Sequence, residues 1–172
     1  MATIITDLKE SFRRGNIYIQ LIYINVGVFV LTTLTEVILQ LFNRSLGGMF
    51  EWLELPASLS RFIVQPWSIL TYMFMHAGVL HILFNMLWLY WFGALFLNFF
   101  SAKHLRGVYI LGGICGGILY MAAYNIFPYF QPMTEYSFML GASASVLAIV
   151  AATAYREPDF AEHPQEANLR AI

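Results

Sequence analysis

Four long stretches of this chain carry no charged side chain: residues 15–35, 62–102, 107–134 and 136–155. A helix needs about 20 mostly apolar residues to cross the hydrocarbon core of a bilayer. Backbone groups in lipid must be satisfied within the segment, so the runs are expected to be helical. The spans are placed near 18–42, 79–100, 106–127 and 138–155. The run 62–102 is too long for one crossing. Pro66 and Ala77-Gly78 break it, leaving Gln65 to His76 as a helical or irregular approach in the outer interface. The expected fold class is all-α, a polytopic bundle of about four transmembrane helices. Composition agrees: 59% of the 172 residues are apolar and 11% charged, and mean hydropathy is +0.66. A soluble domain of this size could not hide so much apolar surface. A net charge of −1 offers no field for nucleic acid. One cysteine, Cys115, excludes an internal disulfide framework and a multi-thiolate metal site.

Lys9, Arg13, Arg14, Lys103, Arg106, Arg156 and Arg170 fall on one side of four crossings, and Arg44 and Arg61 on the other. That asymmetry puts the N-terminus in the cytoplasm. No cleavable leader is evident, so the first span reads as a retained anchor. The loop 43–65 stays apolar (Met49, Phe50, Trp52, Leu53, Leu55, Phe62). It is expected to lie partly in the headgroup layer, with Trp52 and Trp67 as anchors. Residues 1–155 form the membrane domain. Residues 156–172 hold two prolines and read as a short polar cytoplasmic tail. No internal repeat is found.

Polar groups inside apolar spans are expensive and often functional. His81 and Asn85 stand four apart and share one face of the second span, and His76 sits at its mouth. They could hold a developing negative charge, or they could only tie helices together by hydrogen bonds. The fourth span opens Gly141-Ala-Ser143-Ala-Ser145, with small residues recurring at Ala148, Ala151 and Ala152. A buried serine there becomes a nucleophile only beside a base; otherwise it bonds a backbone carbonyl. His81, Asn85 and Ser143 all fall about 5–10 Å below the outer surface, so they can meet at one outward-facing site. In the third span, Gly112-Gly113-Ile-Cys115-Gly116-Gly117 contains two overlapping G-x-x-x-G patterns and reads as a tight packing face, with Cys115 in the core. Asn25 and Glu36 are read as structural. Trp88 and Trp91 are read as bundle or lipid contacts. No paired intramembrane charges or broken inverted repeat suggest a channel or transporter.

The stretch Gln65–Gly93 contains H-x-x-x-x-H-x-x-x-N at His76, His81 and Asn85, and Gly141-Ala-Ser143-Ala follows about 60 residues later. Together they resemble the signatures of rhomboid intramembrane serine proteases over roughly residues 15–156. The resemblance implies acyl transfer on transmembrane protein substrates without metal or organic cofactor. Ser143 would be the nucleophile. His81 and Asn85, with the Ser143 N–H, would form the oxyanion hole. His76 and Gly141 would be structural, and 43–65 would be the membrane-embedded first loop. Two departures stand out. Ser68 follows Trp67 where bacterial members often carry arginine. The family's sixth helix, which supplies the base histidine, has no counterpart here, and His104 and His163 lie on the cytoplasmic side. The resemblance therefore implies an inactive or impaired peptidase, a truncated or frameshifted reading frame, or a non-catalytic pseudoprotease that binds transmembrane segments. It also implies an open face of small residues on the fourth helix and a weaker bundle than a six-helix homologue. The setting expected is a bacterial inner membrane.

Overall fold

The computed structural model describes residues 15–44 and 50–156, together with Thr6, Glu10, Phe12, Arg13 and Gly48. Lys9, Arg14, Met49 and the tail 157–172, with His163 and Arg170, lie outside the described residues. The long helices are α1 (Ile17–Leu41), α4 (Val79–Phe96) and α5 (Ala102–Ile126), and each is long and apolar enough to span a membrane. Between α1 and α4 run two short helices, α2 (Leu59–Val64) and α3 (Ser68–Thr71), then a 3-10 turn at Tyr72–Phe74. The approach expected over 65–76 is thus helical in pieces. The fourth long segment is α6, Ser143–Arg156.

α6 begins five residues later than expected, for a physical reason. Phe138–Met139 (β2) is extended and pairs antiparallel with Leu55–Pro56 (β1) in the register Leu55↔Met139 and Pro56↔Phe138. Ala57 adds an N–H bond to the Ser137 carbonyl at 3.0 Å. Gly141 then takes φ +116°, a conformation side chains rarely adopt. The chain therefore runs through a two-residue strand and a bend before it can coil. The 14 residues of α6 cover only about 21 Å.

α4 is the most buried of the three spanning helices and α1 the least. Between α5 and α6 the first glycine pattern does the packing. A Cβ on Gly116 would fall 2.5 Å from the Ala144 Cβ, and one on Gly112 would collide with Ala148. These pairings run opposite ways along the two helices, so α5 and α6 are antiparallel. The second pattern faces elsewhere: Gly113 abuts Met73 and Ser145, and Gly117 abuts Ile69 and Leu55. Two findings correct the sequence reading here. Cys115 is exposed on the outer face of α5 rather than in the core. Ala144 and Ala148 are covered by α5, so the open face of α6 is formed by Ser143, Leu147 and Ala151.

The remaining polar expectations are structural. Asn25 is fully buried and donates to the Tyr109 Oη at 3.1 Å, tying α1 to α5. Glu36 accepts from Gln40 on an exposed face. Trp52 and Trp67 stack with ring centroids 6.1 Å apart, and the Trp67 Nε1–H donates to the Trp52 carbonyl at 2.8 Å. Trp88 and Trp91 are exposed, and Trp88 stacks on Phe92. Ser68 is fully buried, and its Oγ has no partner among the described residues.

Candidate active site

Ser143, His81 and Asn85 line one groove of about 450 Å³ between α4 and α6. Its other walls are Leu80, Phe84 and Trp88 from α4 and Val146, Leu147 and Val150 from α6. Both helices enter the groove from the same end. The polar residues cluster at the mouth. Trp88 and Val150 lie two turns deeper, about 10 Å along the axes. The groove is therefore polar at one end and apolar along its length.

Ser143 is the first residue of α6 and is exposed. Its Oγ has no hydrogen-bond partner among the described residues. The first helical bond into this turn is Val146 N–H to the Ala142 carbonyl at 2.9 Å. The amides of Ser143 and Ala144 precede it and lack intrahelical acceptors. These free N–H groups stand beside the Ser143 hydroxyl, where charge on a reacting oxygen would collect.

Gly141 sets how closely the two helices approach. A Cβ there would lie 2.8 Å from His81 Cε1 and 2.8 Å from His81 Nε2. The Nε2 edge of the imidazole thus rests on the backbone two residues ahead of Ser143. Asn85 is buried and donates Nδ2 to the His81 carbonyl at 2.9 Å. That bond uses one of two amide hydrogens and leaves the other for the groove. Neither His81 nor Asn85 makes an interhelical hydrogen bond among the described residues, so they do not act as helix glue.

His76 precedes α4 and is buried. Its Nε2 accepts the Ala142 N–H at 3.4 Å. Its ring meets His81 edge-on, with centroids 5.2 Å apart. Burial, and then the neighbouring His81, push the His76 imidazole down to about 4; the Phe74 carbonyl opposes this. The Gly141 N–H donates to the Tyr72 carbonyl at 2.9 Å. Tyr72 is itself anchored, donating its hydroxyl to the Gly113 carbonyl at 2.6 Å, and burial raises that hydroxyl to about 12.

His104 is far from the site. It bonds Ser101 Oγ at the start of α5. Since Gly112 packs on Ala148, His104 lies about 20 Å from Ser143 along the helix pair. Among the described residues, His76 and His81 are the imidazoles near Ser143, and no group of three or more His, Cys, Asp or Glu forms a metal cage. Of the apolar wall the sequence singled out Trp88, as a bundle or lipid contact and not as part of the groove. Phe84 and Trp88 stand three and seven residues after His81, and Leu147 and Val150 four and seven after Ser143. The helical spacing that joined His81 to Asn85 reaches them too.

Residues 64–166 match the family pattern described as Rhomboid domain. A 55-residue stretch is 38% identical to RHOMBOID-like protein 7 of Arabidopsis thaliana, covering 32% of this chain and 18% of that protein. The chain thus matches less than a fifth of that relative's length. No solved structure matches significantly.

Proposed function

The chain belongs to the rhomboid family of integral membrane proteins, and on that premise we propose that it carries the nucleophile half of a serine-type intramembrane endopeptidase site. Ser143 Oγ adds to the carbonyl carbon of a peptide bond in a transmembrane substrate. The hydroxyl proton passes to a base and then to the departing amine. The negative oxygen is held by the Ser143 N–H, the free Asn85 Nδ2–H and His81. Water then adds to the acyl ester and releases Ser143. No metal or organic cofactor enters this scheme. His76 and Gly141 shape the backbone around it.

The observation that carries this reading is the common groove. Three polar side chains from two helices converge at one mouth, and Gly141 lets His81 touch the backbone of the nucleophile's turn. Among the described residues the base is the unfilled role. His81 is the imidazole that lines the groove, and it is committed to the oxyanion. Acting through the described residues alone, the site is impaired, because losing the base of a triad costs several powers of ten in rate.

A second reading rests on the same observation: with Ser143 Oγ unpartnered, the groove serves a non-catalytic rhomboid-like protein that binds transmembrane segments. For either reading we propose residues 1–155 as the membrane domain and 156–172 as a polar tail. The N-terminus is assigned to the cytoplasm by the Lys/Arg asymmetry, in a bacterial inner membrane.

The test is cleavage of a single-span reporter in liposomes by the parent chain beside Ser143→Ala. Cleavage by the parent alone supports the peptidase. Equal behaviour of the two, with helical circular dichroism unchanged, rejects it in favour of the binder.

A further inference from the structure

The segment that delivers Ser143 is pinned at two consecutive amides by the stretch ahead of α4. Gly141 N–H goes to the Tyr72 carbonyl at 2.9 Å, and Ala142 N–H goes to His76 Nε2 at 3.4 Å. The two anchors differ in kind. A carbonyl accepts at every pH. An imidazole nitrogen accepts only while it holds a lone pair.

We propose that His76 is a positioning residue, an acid-labile latch that holds the Gly141–Ser143 turn as a neutral imidazole with its proton on Nδ1 and lets go when a second proton binds. Two observations fix the tautomer and the direction. With the proton on Nε2, two N–H donors would face each other across 3.4 Å. Nδ1 is buried and has no hydrogen-bond partner among the described residues, so it is unpaired in either tautomer and the choice is made at Nε2. The doubly protonated ring would turn Nε2 into a donor against Ala142 N–H. It would also place a charge in a nearly dry site, edge-on to a second imidazole 5.2 Å away. The titratable groups around His76 are His81 on α4, Tyr72 on the preceding turn and Tyr109 on α5, whose hydroxyl points to the Met73 carbonyl. From the α6 side the Ala142 amide meets it. No ion pair joins His76 to a carboxylate among the described residues, and the Phe74 carbonyl, which favours the cation, is outweighed by burial and by His81. The low proton affinity noted above agrees with this geometry.

The latch goes beyond the proposed activity and holds for the peptidase and the binder alike, since it concerns the placement of a turn. In linkage terms the open form binds the proton more tightly than the closed one. Opening therefore grows by up to about tenfold per pH unit as pH falls from about 6.5 to about 4, and then levels off.

The experiment is NMR of the full chain in micelles with 15N-labelled histidine, and resonances are assigned by single His81→Gln, His104→Gln and His163→Gln substitutions. The expected result is a His76 signal with Nε2 unprotonated at neutral pH and a midpoint well below that of a free imidazole. Protection of the Ala142 amide from hydrogen exchange, corrected for intrinsic pH dependence, should fall over the same window. A protonated Nε2 at neutral pH, or an ordinary histidine midpoint, overturns the proposal. In His76→Gln the amide oxygen can accept in place of Nε2 without titrating, so exchange at Ala142 should lose its acid dependence; retained dependence rejects the latch. If that variant fails to fold, the spectra of the parent chain still decide. Neither readout needs Ser143 to react, so failure of the catalytic reading would leave them unchanged.

Discussion

Gly116→Ala is the smallest change that tests how α5 and α6 are held together. The added methyl carbon would sit 2.5 Å from the Ala144 Cβ. Carbon atoms in good contact lie about 3.5–4.0 Å apart, so the helices must separate by about 1–1.5 Å along this face. Overpacking of this kind costs about 1–3 kcal/mol. Alanine recovers up to about 1 kcal/mol of helix propensity, leaving a net loss of about 0–2 kcal/mol against the parent and about 1–3 kcal/mol against an alanine without the clash. Gly107 calibrates the propensity gain, because a Cβ there meets nothing within 4 Å. Gly107→Ala should be neutral or slightly stabilising. The assay is unfolding by a harsh detergent in mixed micelles, followed by far-ultraviolet circular dichroism. The decisive measurement is the double-mutant cycle with Ala144→Gly, which removes the opposing methyl. A coupling of about 1 kcal/mol or more is expected. Coupling near zero, or a Gly116→Ala protein as stable as Gly107→Ala, would refute the packing argument.

Three further outcomes follow from individual contacts. Gly141→Ala forces a side chain into φ +116° and against the His81 ring; it should cost about 1–3 kcal/mol, read as a lower unfolding midpoint, and unchanged stability would show that the turn relaxes. Asn25→Leu removes the bond to Tyr109 Oη but also relieves Asn25 Oδ1, which is buried without a partner. Since such bonds in membranes average about 0.6 kcal/mol, the net change should stay within about 1 kcal/mol, and Tyr109→Phe should then cost little more when added to it in the same unfolding assay. Trp67→Phe keeps the stack on Trp52 and loses the 2.8 Å bond to its carbonyl; a loss of about 0.5–1.5 kcal/mol is expected in thermal melts, and Trp67→Leu should lose more.

What the sequence made legible, and what it did not, follows from the solvent. In water, an apolar stripe at helical spacing marks the buried face. In lipid the outer face is as apolar as the inner one, so that stripe loses its meaning. Cys115 shows the consequence: flanked by four packing glycines, it still faces outward, and hydrophobicity gave no means of knowing it. The signals that survive are absences of charge, which located the spans to within a few residues, and small or polar residues. Gly112 and Gly116 found their partners in Ala148 and Ala144, and His81 with Asn85 found Ser143. The late start of α6 was illegible because its cause is remote: Phe138–Met139 is held extended by Leu55–Pro56, some 80 residues earlier, and no local preference encodes that pairing. The same pairing sets the depth at which Ser143 meets His81. The first loop is thus part of the site's geometry, reached through β1 and β2, although none of its described side chains lines the groove.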